Sequence, residues 1–212
     1  MNWAWIPANI GALIEATIDH IVLTAIAVGV GLAIAMVLSI VIHRDRRAYG
    51  PVTAVTGLLY TIPSLALFAF LVPITGLSLL TAEIGLVSYT LLILVRNIVA
   101  GLDSVPADVR ETADGMGYTW GQRLWRVELP IALPLIVAGL RIATITTIGL
   151  VMVTALIGEG GLGQVMLRGF NFRNWAAVYA GAAITLALGI VVDLLLVWIG
   201  RRATPWAAAR TR

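Results

Sequence analysis

Gly158, Gly160 and Gly163 satisfy G-x-G-x-x-G, the spacing with which backbone amides approach a dinucleotide pyrophosphate. That chemistry needs a strand before the loop inside a βαβ unit, whereas here a long apolar helical segment precedes it, so the fingerprint is rejected. A Walker A loop cannot be written either, because all 14 basic residues are Arg and the phosphate-binding Lys is absent. His20 and His43 are the only imidazoles and are expected at opposite ends of one apolar run, and there is no Cys. A zinc site and a Ser-His nucleophile therefore lack support, and no metal or cofactor is expected on this chain. What remains is a set of charges inside apolar stretches (Glu83, Arg96, Arg141, Asp193), a hydroxyl cluster around Pro63, and one long polar segment, 103–130.

These groups belong to a chain of 212 residues that is 60% apolar and 12% charged. A soluble domain has roughly 45–50% and about 25%, so an ordinary water-soluble enzyme is excluded and lipid must solvate much of the surface. Residues 21–42 run without a charge or a Pro for 22 residues, long enough to cross about 30 Å of hydrocarbon as a helix. Four further spans follow at about 53–72, with a kink expected at Pro63 and closure at Pro73, and at 79–102, 131–157 and 175–199. The expected fold is all-α and polytopic, with five main transmembrane helices, a leader over 1–20 and a tail over 200–212. The leader does not read as a signal peptide, since it has no Arg and carries Glu15 and Asp19. Trp3 and Trp5 suit a membrane interface.

Ten of the 14 Arg residues fall on one side: Arg44, Arg46 and Arg47; Arg110, Arg123 and Arg126; Arg201, Arg202, Arg210 and Arg212. The other side receives Arg168 and Arg173. By the positive-inside rule the Arg-rich side is cytoplasmic, giving an N-out, C-in chain. With no aromatic-basic interleaving, the positive net charge reports topology, and nucleic acid is not an expected partner.

The segment 103–130 reads as two short helices. Ser104 and Pro106 open the first, which runs from Ala107 to about Met116 and stops at Gly117 in a left-handed turn. Thr119 and Gln122 have capping-box spacing and open the second, expected to end before Pro130. Trp120, Leu124 and Val127 share one apolar stripe at i, i+4 and i+7, with Trp125 off it.

Glu111-Thr112-Ala113, three residues, Gly117, nine residues, then Val127-Glu128-Leu129-Pro130 resemble the EAA loop of ABC-type importer permeases. Two positions depart from the family pattern, Thr112 for Ala and Val127 for Ile, both close in size or shape. Tyr60 to Leu67, Val95-Arg96-Asn97 with Gly101-Leu102, and Leu156 to Gly163 look like the osmoprotectant branch, which imports glycine betaine, choline, carnitine or proline betaine. The resemblance covers about 21–199. It implies a permease that pairs with a second permease copy, homodimeric or related, and docks two ATPase subunits through Glu111, Thr112, Ala113, Gly117, Val127, Leu129 and Pro130. It further implies that an external binding protein delivers the substrate and that ATP and Mg sit on the partner ATPase. A short helix projecting from the membrane is itself a suitable peg for a partner's groove.

Charges within spans face cavities or partners. Asp193 is expected to pair with Arg96 or Arg141, or Arg96 snorkels to the headgroups. Tyr60, Thr61, Pro63 and Ser64 offer freed carbonyls and hydroxyls, either as a pathway lining or as a packing kink, with Asn97 and Tyr89 as further candidates. Gly158, Glu159, Gly160, Gly161 and Gly163 form a turn that either packs tightly or acts as an external gate near Phe170, Asn171, Phe172, Arg173 and Trp175. The competing function, an ion-gradient transporter or channel, would have only Glu83 and Asp193 as acidic relays and would leave the peg unexplained.

Overall fold

The computed structural model describes residues 3–208, so Arg210 and Arg212 lie outside the described residues. All regular elements in that range are helical: α1 (Trp5–Ala8), α2 (Ile10–Arg44), α3 (Tyr49–Thr61), α4 (Ser64–Thr75), α5 (Leu79–Asp103), α6 (Ala107–Gly115), α7 (Trp120–Arg123), α8 (Leu129–Thr154), α9 (Leu162–Asn171), α10 (Trp175–Ala203) and α11 (Pro205–Ala208). A π-turn, Leu124–Glu128, joins α7 to α8. Among the described residues, four helical stretches are long and apolar enough to cross a membrane, or five if the bent pair α3–α4 counts as one span.

The helix boundaries correct four expectations. The leader is mostly not separate, because α2 starts at Ile10 and runs 35 residues, about 52 Å at 1.5 Å per residue. Nothing in Glu15 or Asp19 stops a helix, and one face of its first turns packs inward at Leu13 and Ala16. Asp45 ends it in extended backbone (φ −131°, ψ 104°) while its side chain accepts the Arg47 N–H at 3.0 Å.

The second span is not a kinked helix but two helices at 96°. Ile62 is extended (ψ 127°), as expected when a proline ring disfavours the α region for the residue before it. Pro73 lies within α4, which continues to Thr75 and ends at Gly76 with φ 75°. The second loop helix does not stop before Pro130 either. It passes through the π-turn into α8, so Trp120–Ile157 is one helical rod. Pro130 can donate no bond to a carbonyl one turn back, and a widened turn just before it accommodates that lost donor. The glycine turn itself is present, with Gly158, Gly160 and Gly161 at positive φ, and it leads into a further helix, α9.

α5 is the central helix, packed by α2 and α8 on its flanks and by α3 and α4. Close approach depends on small residues. A Cβ on Gly101 would stand 2.9 Å from the Ala132 carbonyl oxygen, and one on Gly139 would stand 2.8 Å from Asn97 Cγ. One apolar cluster, including Ile42, Leu94, Ile98, Leu102, Leu124 and Ala132, fills the end where α2 and α5 finish and α8 begins. This is also the end that carries Arg44, Arg46, Arg47 and Arg123. A second cluster, including Leu23, Phe68, Leu86 and Val151, fills the opposite half. The remaining apolar residues point outward: Leu186, Val191 and Leu194 on α10 are 67%, 62% and 62% exposed. An apolar outer surface of this extent is what lipid solvates and water does not.

Candidate functional site

At the Arg-rich end, α6 and α7 form a hairpin whose turn is specified residue by residue. Gly117 takes φ 81°, a conformation glycine adopts without steric cost. Its N–H donates to the Asp114 carbonyl at 2.9 Å, and the Tyr118 N–H donates to the Ala113 carbonyl at 3.1 Å, the bond pair of a Schellman stop. Across the turn the Thr119 N–H donates to Gln122 Oε1 at 2.9 Å and the Gln122 N–H to the Thr119 hydroxyl at 3.4 Å, a complete capping box.

The hairpin is held to the bundle at its inner face. Ala113 is buried and Arg110 Nη2 donates to the Leu102 carbonyl at 2.7 Å, while beside it Arg46 ties the turn between α2 and α3 to Asp103 at the end of α5 with two bonds of 3.0 and 2.8 Å. Its outer face is free: Glu111, Thr112 and Gly117 are exposed, and Met116 and Trp125 expose 63% and 64% of their surface. Val127 is half-buried, Leu129 is buried in the main core, and Pro130 is half-buried. The loop residues thus divide into an exposed tip and a buried root. On the Trp120, Leu124, Val127 stripe, Leu124 is the buried member, and Trp120 lies against His43 and Arg44.

Sequence reasoning missed a four-residue polar chain behind the hairpin. Glu128, fully buried, accepts from Arg123 Nε at 2.7 Å, while its other oxygen lies 2.5 Å from His43 Nε2, a close polar contact without hydrogen-bond alignment. Arg123 Nη1 donates to Asp114 at 2.6 Å. Burial opposes charge on the Arg123 guanidinium, but the Asp114 and Glu128 carboxylates more than offset this and hold its pKa above the ordinary value. In the loop pattern, Glu128 occupies the position open to any residue, and nothing in local spacing singles it out.

Within the bundle, Arg141 pairs with Asp193 through bonds of 2.9 and 3.0 Å. Arg96 is exposed and has no ion-pair partner among the described residues. Asn97 turns its amide to the Ile93 carbonyl at 2.8 Å. Thr61 bonds its own helix at Leu58, and Tyr60 and Pro63 are exposed, with Ser64 half-buried. At the break, the Ile62 carbonyl is satisfied by the Tyr89 hydroxyl, whose ring meets Tyr60 edge-on at 5.9 Å. Both carboxylate oxygens of Glu83 are buried without a hydrogen-bond partner among the described residues. His20 and His43 stand 23 residues apart on one helix, and no group of acidic and imidazole side chains among the described residues has metal-holding geometry.

At the opposite end, Gly158, Gly160 and Gly161 have φ of 91°, 137° and 48°. A Cβ on Gly161 would stand 2.5 Å from the Ala16 carbonyl oxygen and 2.6 Å from the His20 nitrogen. Gly163 fits equally closely over Met152. The glycine segment therefore wedges between α2 and α8. Glu159 lines a cavity of about 750 Å³ with Trp5, Glu15, Asp19, Arg168 and Phe172.

A projecting hairpin at one end of a bundle of apolar spans is the arrangement to compare with known proteins. The family model described as "Binding-protein-dependent transport system inner membrane component" matches residues 10–205. The chain belongs to this family. As a member it is a multi-pass inner-membrane transport component. It is 40% identical to the osmoprotectant import permease protein OsmW of Salmonella typhimurium, over 89% of this chain and 90% of that one. It is 33% identical to the choline transport system permease protein OpuBB of Bacillus subtilis, over 98% and 96%. Among solved structures, an inward-facing form of the MetNI methionine ABC transporter superposes with TM-score 0.83, covering 93% of this chain and 98% of that one, at 21% identity. This last likeness establishes the shared fold.

Proposed function

We propose that this permease translocates a small osmoprotectant, such as glycine betaine or choline, delivered by an external binding protein and driven by ATP hydrolysis on two partner ATPase subunits that hold the ATP and Mg. The observation that carries the mechanism is the α6–α7 hairpin, whose exposed Glu111, Thr112 and Met116 lie on a peg with a specified turn and a buried root. Osmoprotectant and choline in the names of relatives at 33–40% identity support the substrate class. The Arg-rich end is cytoplasmic, and Gly158 to Gly163 lie outside as a gate or binding-protein contact. A second permease copy, identical or related, completes the pathway. Rigid-body rocking of the two halves, pulled by the docked pegs, alternates access.

Tyr60, Ser64, Asn97 and the Arg141–Asp193 pair are the proposed polar elements of the pathway or its walls. Tight binding of the quaternary ammonium group, which favours aromatic faces, is left to the binding protein. Gly117→Asp tests the reading. It strains the left-handed turn and adds a charge at the tip, so substrate-stimulated ATPase should fall while the permease stays inserted. Normal coupled transport in that variant would overturn the assignment.

A further inference from the structure

A peg transmits force only through something stiff. The nine-residue α6 and its glycine turn are not stiff alone. What joins them to the spans is the chain Asp114, Arg123, Glu128, His43, which runs from the last turn of α6 through the root of α8 to the end of α2. Arg123 and Glu128 are five residues apart, which in a regular helix would turn them about 140° from each other. The π-turn bonds the Leu129 N–H to the Leu124 carbonyl, five residues back. Such bonding brings residues five apart toward one face, which favours the Arg123–Glu128 contact.

We propose that Glu128 is a positioning residue for energy coupling, the hub that makes α6, the α8 root and the end of α2 move as one lever. A buried charge network is not needed for stability at this place, since well-packed apolar residues commonly serve as well or better. What it adds is a single permitted arrangement of three helices from three parts of the chain. The residues around it fit that role. Leu124 and Ile42 are almost fully buried beside it, Trp120 covers His43 with ring centroids 6.3 Å apart, and Arg44 lies over Trp120 at 5.8 Å.

The inference rests on the docking role proposed for α6, and its test separates the two. The complete transporter, with its own ATPase and binding protein, is reconstituted in proteoliposomes as wild type, Glu128→Gln, the double variant Arg123→Met/Glu128→Met, and Gly117→Asp. Four quantities are read: ATPase retained in the purified complex, thermal midpoint, stimulation of hydrolysis by substrate-loaded binding protein, and uptake per ATP hydrolysed. The hub predicts that the double variant keeps the bound ATPase and the wild-type midpoint, while stimulation falls at least tenfold and uptake per ATP falls with it, and that Glu128→Gln shows the same uncoupling. Coupling within twofold of wild type in the double variant would overturn the hub, as would loss of assembly in both Glu128 variants, because the network would then serve folding alone. If Gly117→Asp uncouples and the double variant does not, only the hub fails. If Gly117→Asp itself remains coupled, the docking reading fails first.

Discussion

Removing one charge of the Arg141–Asp193 pair is the perturbation whose size the structure lets us work out. Arg141 lies 12 residues beyond the start of α8 and Asp193 lies 10 residues before the end of α10, about 18 Å and 15 Å along their axes, well inside both apolar helices. Their side chains are 37% and 28% exposed and meet through two parallel bonds. Asp193→Asn leaves an Arg at that depth with one weakened acceptor. An unpaired Arg at a helix centre costs about 2.5–3.5 kcal/mol on insertion scales, and breaking a buried pair costs roughly 3–5 kcal/mol. Allowing for the exposed third of Arg141, the loss should be about 2–3 kcal/mol, or roughly 30- to 150-fold in the folding equilibrium. Arg141→Leu/Asp193→Leu should recover most of it. A double-mutant cycle read by detergent-induced unfolding of the purified permease measures the coupling between the two sites. A coupling energy below about 0.5 kcal/mol, the range of solvated surface pairs, would refute the claim that this pair ties α8 to α10 inside the bundle.

Two further substitutions test the local architecture. Tyr89→Phe removes the hydroxyl that satisfies the Ile62 carbonyl at the helix break and should cost about 1–3 kcal/mol, seen as a lower thermal midpoint; an unchanged midpoint would show that the carbonyl finds another partner. Gly161→Ala places a methyl against the α2 backbone at a positive φ and should sharply reduce the amount of folded permease recovered from membranes, whereas Gly50→Ala, with open space around it, should not.

Sequence was most informative where structure depends on neighbours in the chain. The Schellman stop at Gly117 and the capping box of Thr119 and Gln122 depend on a few consecutive residues, and both formed as expected. The apolar runs of α2, α5, α8 and α10 were equally legible, because lipid demands length and hydrophobicity. Three features were harder to read. Pro63 marks a disruption, but whether the chain bends slightly or turns by 96° depends on what α5 offers on its flank, including the Tyr89 hydroxyl. α9 places Leu162, Val165, Met166 and Gly169 on one helical face, yet its ten residues follow a glycine cluster that draws attention to the turn. The Arg123–Glu128 contact contradicts regular helical spacing, so a periodicity argument places the two residues on opposite faces. Of the two partners offered for Asp193, only the three-dimensional arrangement selects Arg141 over Arg96.

The absence of cysteine makes the central claim directly measurable. Glu111→Cys gives the chain a unique thiol on the exposed tip of α6, which can be labelled with a photoactivatable maleimide in the assembled transporter. The account predicts a covalent adduct between this chain and the ATPase subunit, and protection of that thiol from membrane-impermeant reagents added outside intact cells. Labelling from outside, or adducts to the external binding protein or to lipid with none to the ATPase, would contradict it.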